Sequence, residues 1–392
     1  MKAIISVLGR FHAFHLAKEL FNRNSLASLI TSYPKSVPIS EGIDSSFIKS
    51  LILNELCQRA VTRHGFGLNS LWNSHYFWSE WYDKRVSKIL PAIIDKSKAT
   101  ICTAWSASGM HTLRVARSNG LTTIVERGSS HISYQDNILK EEYSLLSIPY
   151  KPIHPKIIEK ELIEYDEADY ISVPSSFSFD SFLTQGVSAT KLIKIPYGVN
   201  LNRFFPHLRN EKKFIIGYCG AVSVRKGVPY LIQAFNLLAI PNAELWFIGD
   251  INPELNQYFS TIKLNNIKFM GHIPQSELPK LLSQCSIFCL PSVEEGLAMV
   301  IPQAMACGLP VICTHNTGGS DIVDQGKSGF IVPIRDHLSI AGKIEYLYKN
   351  EEARLEMGAF ARKSAVNNQT WTGYGEKIQK AYELIEENKK AH

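Results

Sequence analysis

A chain of 392 residues with 45% hydrophobic and 20% charged side chains is ordinary globular material, which excludes a disordered or fibrous protein. It is also longer than one hydrophobic core usually supports, so two domains of similar size are expected. The net charge of +6 is spread along the chain without a basic tail, which speaks against a nucleic-acid binder and leaves room for anionic ligands.

The chain opens with the apolar run KAIISVLG, a predicted strand, followed by a loop at Gly9–His12 and the helical stretch AFHLAKELFNR. SLASLITSY is the next strand, which makes this a βαβ opening. A lone Gly9 fails the G-x-G-x-x-G fingerprint of a dinucleotide site, which removes a nicotinamide oxidoreductase. Residues 63–82 gather aromatics and two histidines at helical spacing. A buried or interdomain face is expected there, with an acceptor groove or shallow membrane contact as the functional alternative.

ATICTA, LTTIVE and DYISVP continue the strands, with helices starting near Ser108 and near Ser175 and Ser176, residues suited to N-caps. Such alternation predicts a parallel sheet with helices on both faces. The strand LTTIVE delivers Glu126, Arg127, Gly128 and His131 toward a cleft at the strand ends.

Near IPYGVNLNRFFPH a stretch without apolar periodicity interrupts the pattern, and the domain boundary is placed at 198/199. KFIIGYCG then starts a second α/β domain. Its strand runs into a loop at Gly220 and Val222, and Arg225, Lys226 and Gly227 precede the helix VPYLIQAFNLL. A planar guanidinium and a compact ammonium beside a helix start suit a pyrophosphate.

AELWFIG, a helix near Glu254–Leu264, IKFMG, the helix SELPKLLSQC and SIFCLPS follow. After Pro291 come Glu295, Gly296, Leu297, Ala298, Met299 and Val300, then a helix carrying Gln303, eight positions beyond Glu295. A carboxylate there can accept hydrogen bonds from sugar hydroxyls, and backbone N–H groups at the helix start can hold a phosphate. LPVICT is the last strand, and charged helical runs from His337 to Lys389 close the chain, the last of them expected to return to the first domain.

No apolar run approaches the roughly 18–20 residues of a membrane-spanning helix, and the N-terminus turns polar too soon for a signal peptide. A cytoplasmic location is expected, with peripheral contact at the inner face of the membrane as the variant of it. The seven scattered cysteines lack CxxC pairs and are taken as reduced packing residues. Cys285, Cys289 and His272 lack the second ligand pair of a zinc site.

The segment PSVEEGLAMVIPQAMACGLPVI resembles the E-x7-E signature of retaining family 4 glycosyltransferases, with Gln303 in place of the second glutamate. GYCGAVSVRKG resembles the G-x-x-x-x-x-K-G element of the same family, with Ala221 where many members carry arginine. The stretches leading into residues 198–205, around 269–292 and at 317–333 resemble further family elements in the same order.

The resemblance implies a GT-B architecture. Residues 1–198, with a helix at about 372–392, would bind the acceptor, and residues 199–371 would bind a nucleotide sugar. It implies that Glu295 contacts the donor hexose, that Gln303 holds the ribose, and that backbone near His272 and Ile273 meets uracil. Gly9 would stand in the family's glycine-rich loop, with His131 and then Glu126 near the reacting sugar. The implied activity is retaining hexosyl transfer from a UDP-sugar, glucose first, to a saccharide or lipid-linked saccharide, without metal, in cell-envelope glycan synthesis. A nucleotide-sugar epimerase or hydrolase, or an inactive sugar-nucleotide-binding partner, are the alternatives.

Overall fold

A computed structural model describes residues 1–64 and 71–391, without the side chains of 61–74 and 390–391. The first half is a seven-stranded parallel sheet in the order β3-β2-β1-β4-β5-β6-β7. Its strands are β1 (Ala3–Val7), β2 (Leu26–Thr31), β3 (Ile48–Ser50), β4 (Ile101–Trp105), β5 (Thr122–Glu126), β6 (Tyr170–Val173) and β7 (Leu192–Lys194). β1, β4 and β5 are buried along their whole length, as strands covered on both faces must be, and this explains their unbroken apolar runs.

The covering helices are α1 (Ala13–Asn22), α2 (Ser36–Ser40), α3 (Ile52–His64), α4 (Leu71–Ser97), α5 (Met110–Ser118), α6 (Ile132–Leu145), α7 (Pro155–Glu167) and α8 (Ser176–Thr184). In the aromatic stretch 63–82, residues 65–70 lie outside the described residues; within its described part Trp78 and Tyr82 are buried while Phe77 is exposed.

The second half is a six-stranded parallel sheet in the order β10-β9-β8-β11-β12-β13. Its strands are β8 (Phe214–Cys219), β9 (Ala243–Ile248), β10 (Ile267–Phe269), β11 (Ile287–Leu290), β12 (Val311–Thr314) and β13 (Gly329–Val332). Helices α9 (Val228–Leu238), α10 (Asn256–Ser260), α11 (Leu278–Leu282), α12 (Val300–Ala306), α13 (His337–Lys349) and α14 (Glu351–Asn368) pack around it. The helix expected over Glu254–Leu264 is reduced to a short turn and the five residues of α10.

Two crossings join the halves. The linker after β7 runs beside the segment that returns after α14: Val199 N donates to Gln369 O at 2.7 Å, and Val199 pairs with Thr370. The last helix, α15 (Trp371–Ala391), then packs against α1 of the first half. Thr103 Oγ1 meets Tyr382 Oη at 2.8 Å, and Lys389 Nζ donates to Gly120 O at 2.7 Å. Among the described residues, no helix is long and apolar enough to cross a membrane.

Candidate active site

The carboxyl ends of the two sheets face each other, and a cavity of about 690 Å³ lies between them. This is where open α/β sheets place ligands. From the first half come the loop after β1 with His12, the loop after β4 with Ser106–Ser108, and the loop after β5 with Arg127–Ser129. From the second half come Arg225, Glu295, Leu297 and Met299.

Three of the residues singled out in the sequence meet here. Arg225 Nη2 lies 3.4 Å from Glu295 Oε1, and the Lys226 ammonium contacts Glu295 Oε2. The backbone makes this meeting possible. Gly227 caps α9 in the left-handed region at φ +67°, where a Cβ would sit 1.9 Å from the Pro291 carbonyl oxygen. The loop after β8 is thereby pressed against the loop after β11, and Val293 N donates to Arg225 O at 2.9 Å. Burial, then the neighbouring Arg225, lower the Lys226 ammonium to about 7, against the upward pull of Glu294. Lys226 does not itself line the cavity; it stands behind Glu295, which does.

Glu294 is the residue the sequence did not flag. Its carboxylate is fully buried and accepts hydrogen bonds from both halves of the molecule. Oε1 receives Ser129 Oγ at 2.7 Å, Ser130 Oγ at 2.6 Å and Ser130 N at 3.2 Å. Oε2 receives Gln135 Nε2 and, from the second half, Arg225 Nε, both at 2.8 Å. Burial pushes its pKa up, but Arg225 and the Ser130, Ser129 and Gln135 donors prevail and hold it below the ordinary carboxylate value. Beside it Gly296 pairs with Ser129 across the gap, and a Cβ on Gly296 would come 1.9 Å from Gly128 O. The halves touch there backbone to backbone.

The first-half residues fall out differently from expectation. His131 does not face the cavity: it is buried as the N-cap of α6, where Nδ1 accepts from Ser133 N at 3.2 Å and the ring packs on Tyr165 and Phe182. Burial and Arg127 lower its pKa to about 4. Glu126 ends β5 fully buried and is absent from the cavity wall; its Oε1 lies 2.9 Å from His12 Nε2, and His12 is on the wall. Arg127 lines the cavity as well, braced by Glu161 at 2.8 Å. Ser108 is not the cap of α5. That duty falls to Glu164, which accepts from Ala107 N at 2.6 Å, Gly109 N at 2.8 Å and Met110 N at 2.9 Å. Asp83 holds the next turn through His111 N and Thr112 N, both at 2.9 Å.

Among the other residues singled out, Gly9 lines a second cavity of about 710 Å³ that adjoins the first and shares Leu8, Phe11 and His75 with it. Gly220 donates its amide to Ile248 O. Val222 is fully buried and its backbone is spent on Asp250 O and Asn252 N, so it offers a ligand nothing. His272 and Ile273 follow the edge strand β10, which β9 and β8 separate from β11, and do not line the cavity with Glu295. Leu297 and Met299 do, whereas the Ala298 amide is taken by Thr317 O at 3.0 Å. Val300 begins α12, and Gln303 is buried on it, away from the cavity wall.

One carboxylate–histidine group with metal-like spacing exists among the described residues, Glu80, Asp83 and His111. The Lys160 ammonium, 2.8 Å from both carboxylates, holds the position a cation would take.

Residues 200–364 match the family model described as Glycosyl transferases group 1. The capsular polysaccharide biosynthesis glycosyltransferase CapM of Staphylococcus aureus is 32% identical over 167 residues, which are 41% of this chain and 43% of that protein. Spore coat protein SA of Bacillus subtilis is 26% identical over 247 residues, 56% of this chain and 66% of that protein. The matched stretches thus span 43% to 66% of these relatives' own length.

Among solved structures, sucrose-phosphate synthase from Thermosynechococcus elongatus superposes with a TM-score of 0.74 at 18% identity, covering 98% of this chain and 99% of that one. HepE of Anabaena in complex with UDP superposes at 0.68 and 14% identity, covering 98% and 100%. The chain has the two-domain GT-B fold of these proteins, and its second domain carries the match to the group 1 glycosyl transferases.

Proposed function

We propose that the protein is a glycosyltransferase that moves a hexose, glucose first, from a UDP-sugar to a saccharide or lipid-linked saccharide acceptor in cell-envelope glycan synthesis. The observation that carries this reading is the convergence of Arg225, Lys226 and Glu295 from neighbouring strand ends at one interdomain cavity. The Arg225 guanidinium on the cavity wall suits a departing diphosphate, with the Lys226 ammonium adding positive charge behind Glu295, and the Glu295 carboxylate on the same wall suits hexose hydroxyls. The match of residues 200–364 to the group 1 glycosyl transferases, the likeness to CapM over 41% of the chain, and the fold shared with HepE, which was crystallised with UDP and glucose, agree with it.

In this scheme Arg225 and Lys226 stabilise the negative charge that grows on the diphosphate as the bond to the anomeric carbon breaks. Arg127 from the first half and Glu295 from the second line the same cavity. The charge stabilisation comes from this chain's own cations, so the scheme needs no metal. The hexose is transferred with retention.

The decisive experiment is a screen of UDP-hexoses by calorimetry and by release of UDP. UDP-glucose binding and turnover are expected, with both lost in Arg225→Ala. Equal turnover in that variant would sink the assignment of the site. The product anomer, read by proton NMR, tests retention separately: an inverted product removes retention and leaves transfer standing.

A further inference from the structure

We propose that the second cavity holds the saccharide end of the acceptor as a neutral sugar, with the ring of Phe11 as its stacking platform. The inference rests on the transferase reading above and deepens it by placing the second substrate.

The cavity, of about 710 Å³, falls within the roughly 300–1,000 Å³ of ordinary ligand sites. Its wall comes from the first half: the loop after β1, Tyr33 just past β2, Glu55 and Arg59 on α3, and His75 on α4. No described residue of the second half lines it, whereas Arg225, Glu295, Leu297 and Met299 line the first cavity. A donor gripped by the second half therefore leaves this space to another ligand. Leu8, Phe11 and His75 belong to both walls, so the two substrates meet there.

Phe11 marks the junction. Its backbone lies in the left-handed region at φ +41°, uncommon for a bulky residue, and its side chain is 67% exposed. Neither the strain nor the exposure serves the core. The loop is pinned at Gly9, whose amide donates to Ser32 Oγ at 3.1 Å and whose carbonyl accepts from Thr31 Oγ1 at 2.9 Å. A Cβ on Gly9 would come 3.3 Å from Phe11 Cε2, so the ring lies close against the loop's own backbone. Backbone strain that persists at an exposed aromatic beside a substrate cavity points to a ligand contact. The rest of the wall is polar and balanced in charge. Arg59 Nε lies 2.8 Å from Glu55 Oε1, the Arg10 guanidinium contacts Glu41, and Ser32 Oγ donates to Glu55 Oε2 at 3.3 Å. Each guanidinium has a carboxylate beside it, which leaves no surplus positive charge for a phosphate. Arg59 also lies 5.9 Å from the centroid of the Tyr33 ring. Rings beside planar donors and acceptors match a sugar, which offers an apolar face to stack and hydroxyls around its edge.

A sugar seated here reaches the first cavity past Phe11. No residue of this wall takes its proton, so transfer with retention stands as proposed above.

The test probes the full chain, with and without saturating UDP, with neutral mono- and disaccharides of glucose, galactose, mannose and N-acetylglucosamine, and binding is read by saturation-transfer NMR. At least one of these sugars is expected to bind. Phe11→Ala is expected to weaken that binding about tenfold, the upper worth of one stacked ring, and Phe11→Trp to restore it. Arg59→Gln alters the second cavity alone and is expected to weaken it as well, with the affinity for UDP, read by calorimetry, unchanged. Glucose 6-phosphate is expected to bind no more tightly than glucose. A panel in which no sugar binds, saccharide binding unaltered in Phe11→Ala or in Arg59→Gln, or a preference of about tenfold for the phosphate overturns the proposal. A wild-type chain that holds a saccharide but no UDP fails the donor reading instead and leaves the saccharide site standing.

Discussion

Lys226 is an ammonium kept near its point of proton loss by burial and by the guanidinium beside it. In the proposed donor complex a diphosphate would favour the charged form, raise this pKa above about 7 and draw a proton from solvent. Donor affinity is therefore expected to weaken as pH rises through that value, and calorimetry in buffers of different ionisation heat should report proton uptake on the alkaline side. Binding heats independent of the buffer would show that Lys226 does not meet the phosphates.

The residue scale also shows what a sequence can and cannot reveal. Arg225, Lys226 and Glu295 were legible because glycines flank them at fixed spacing, and Gly227 and Gly296 sit where no Cβ fits. The roles of His12 and His131 were not, since the residue type is the same and only the cap geometry decides which ring nitrogen is spent. Glu294 was invisible for a different reason: its five donors come from Ser129, Ser130, Gln135 and Arg225, and the first three are more than 150 positions away.

At the scale of elements, the strands with continuous apolar runs were readable, and so was the three-residue β10 within IKFMG, whereas β3, β7 and β13 were not. β3 and β7 are three residues each and form the two edges of the first sheet; β13, with four, is an edge of the second. Segments this brief show no period, and an edge is buried on fewer sides; β10 has the same handicaps and stood out only by the apolar residues Ile267, Phe269 and Met270 before a glycine. The start of α5 illustrates another limit, because its cap is Glu164 from α7 rather than a neighbouring serine. Glu164 shapes the loop that presents Ser106 and Ser108 to the cavity. Burial raises the Glu164 carboxyl to about 8, so it caps largely in its neutral form; Glu164→Ala strands three amides at once, two of them on buried residues, and is expected to cost about 3 kcal/mol, since each buried donor left unsatisfied costs roughly 1–3 kcal/mol. Chemical denaturation would measure it; a change within 1 kcal/mol, roughly the worth of one ordinary hydrogen bond, would refute the capping role.

At the scale of the whole molecule, the two halves are held together by Glu294, next to the cavity-lining Glu295, and by further pairs. Arg335 Nε meets Glu142 at 2.6 Å, Tyr143 Oη meets Glu254 at 2.7 Å, and Lys194 Nζ meets Asp321 at 2.8 Å. Glu294→Ala removes four contacts between the halves and leaves Ser129, Ser130 and Gln135 without their shared acceptor. The variant is expected to show a larger radius of gyration in solution scattering and slower turnover, with the thermal midpoint of each half little changed. An unaltered scattering curve would mean that the flanking pairs alone keep the halves together.

The paired crossings behind Tyr197 set how such opening proceeds. Because Val199 and Gln369 are stitched together where both peptide segments pass, a sliding displacement of one half over the other would tear that stitch. A swing about the line of the two segments leaves it whole. The contacts of Glu294 and Gly296 would then part while the wall at Tyr197 beside the linker shifts least, so that a ligand of the cavity would be admitted from the side away from the linker.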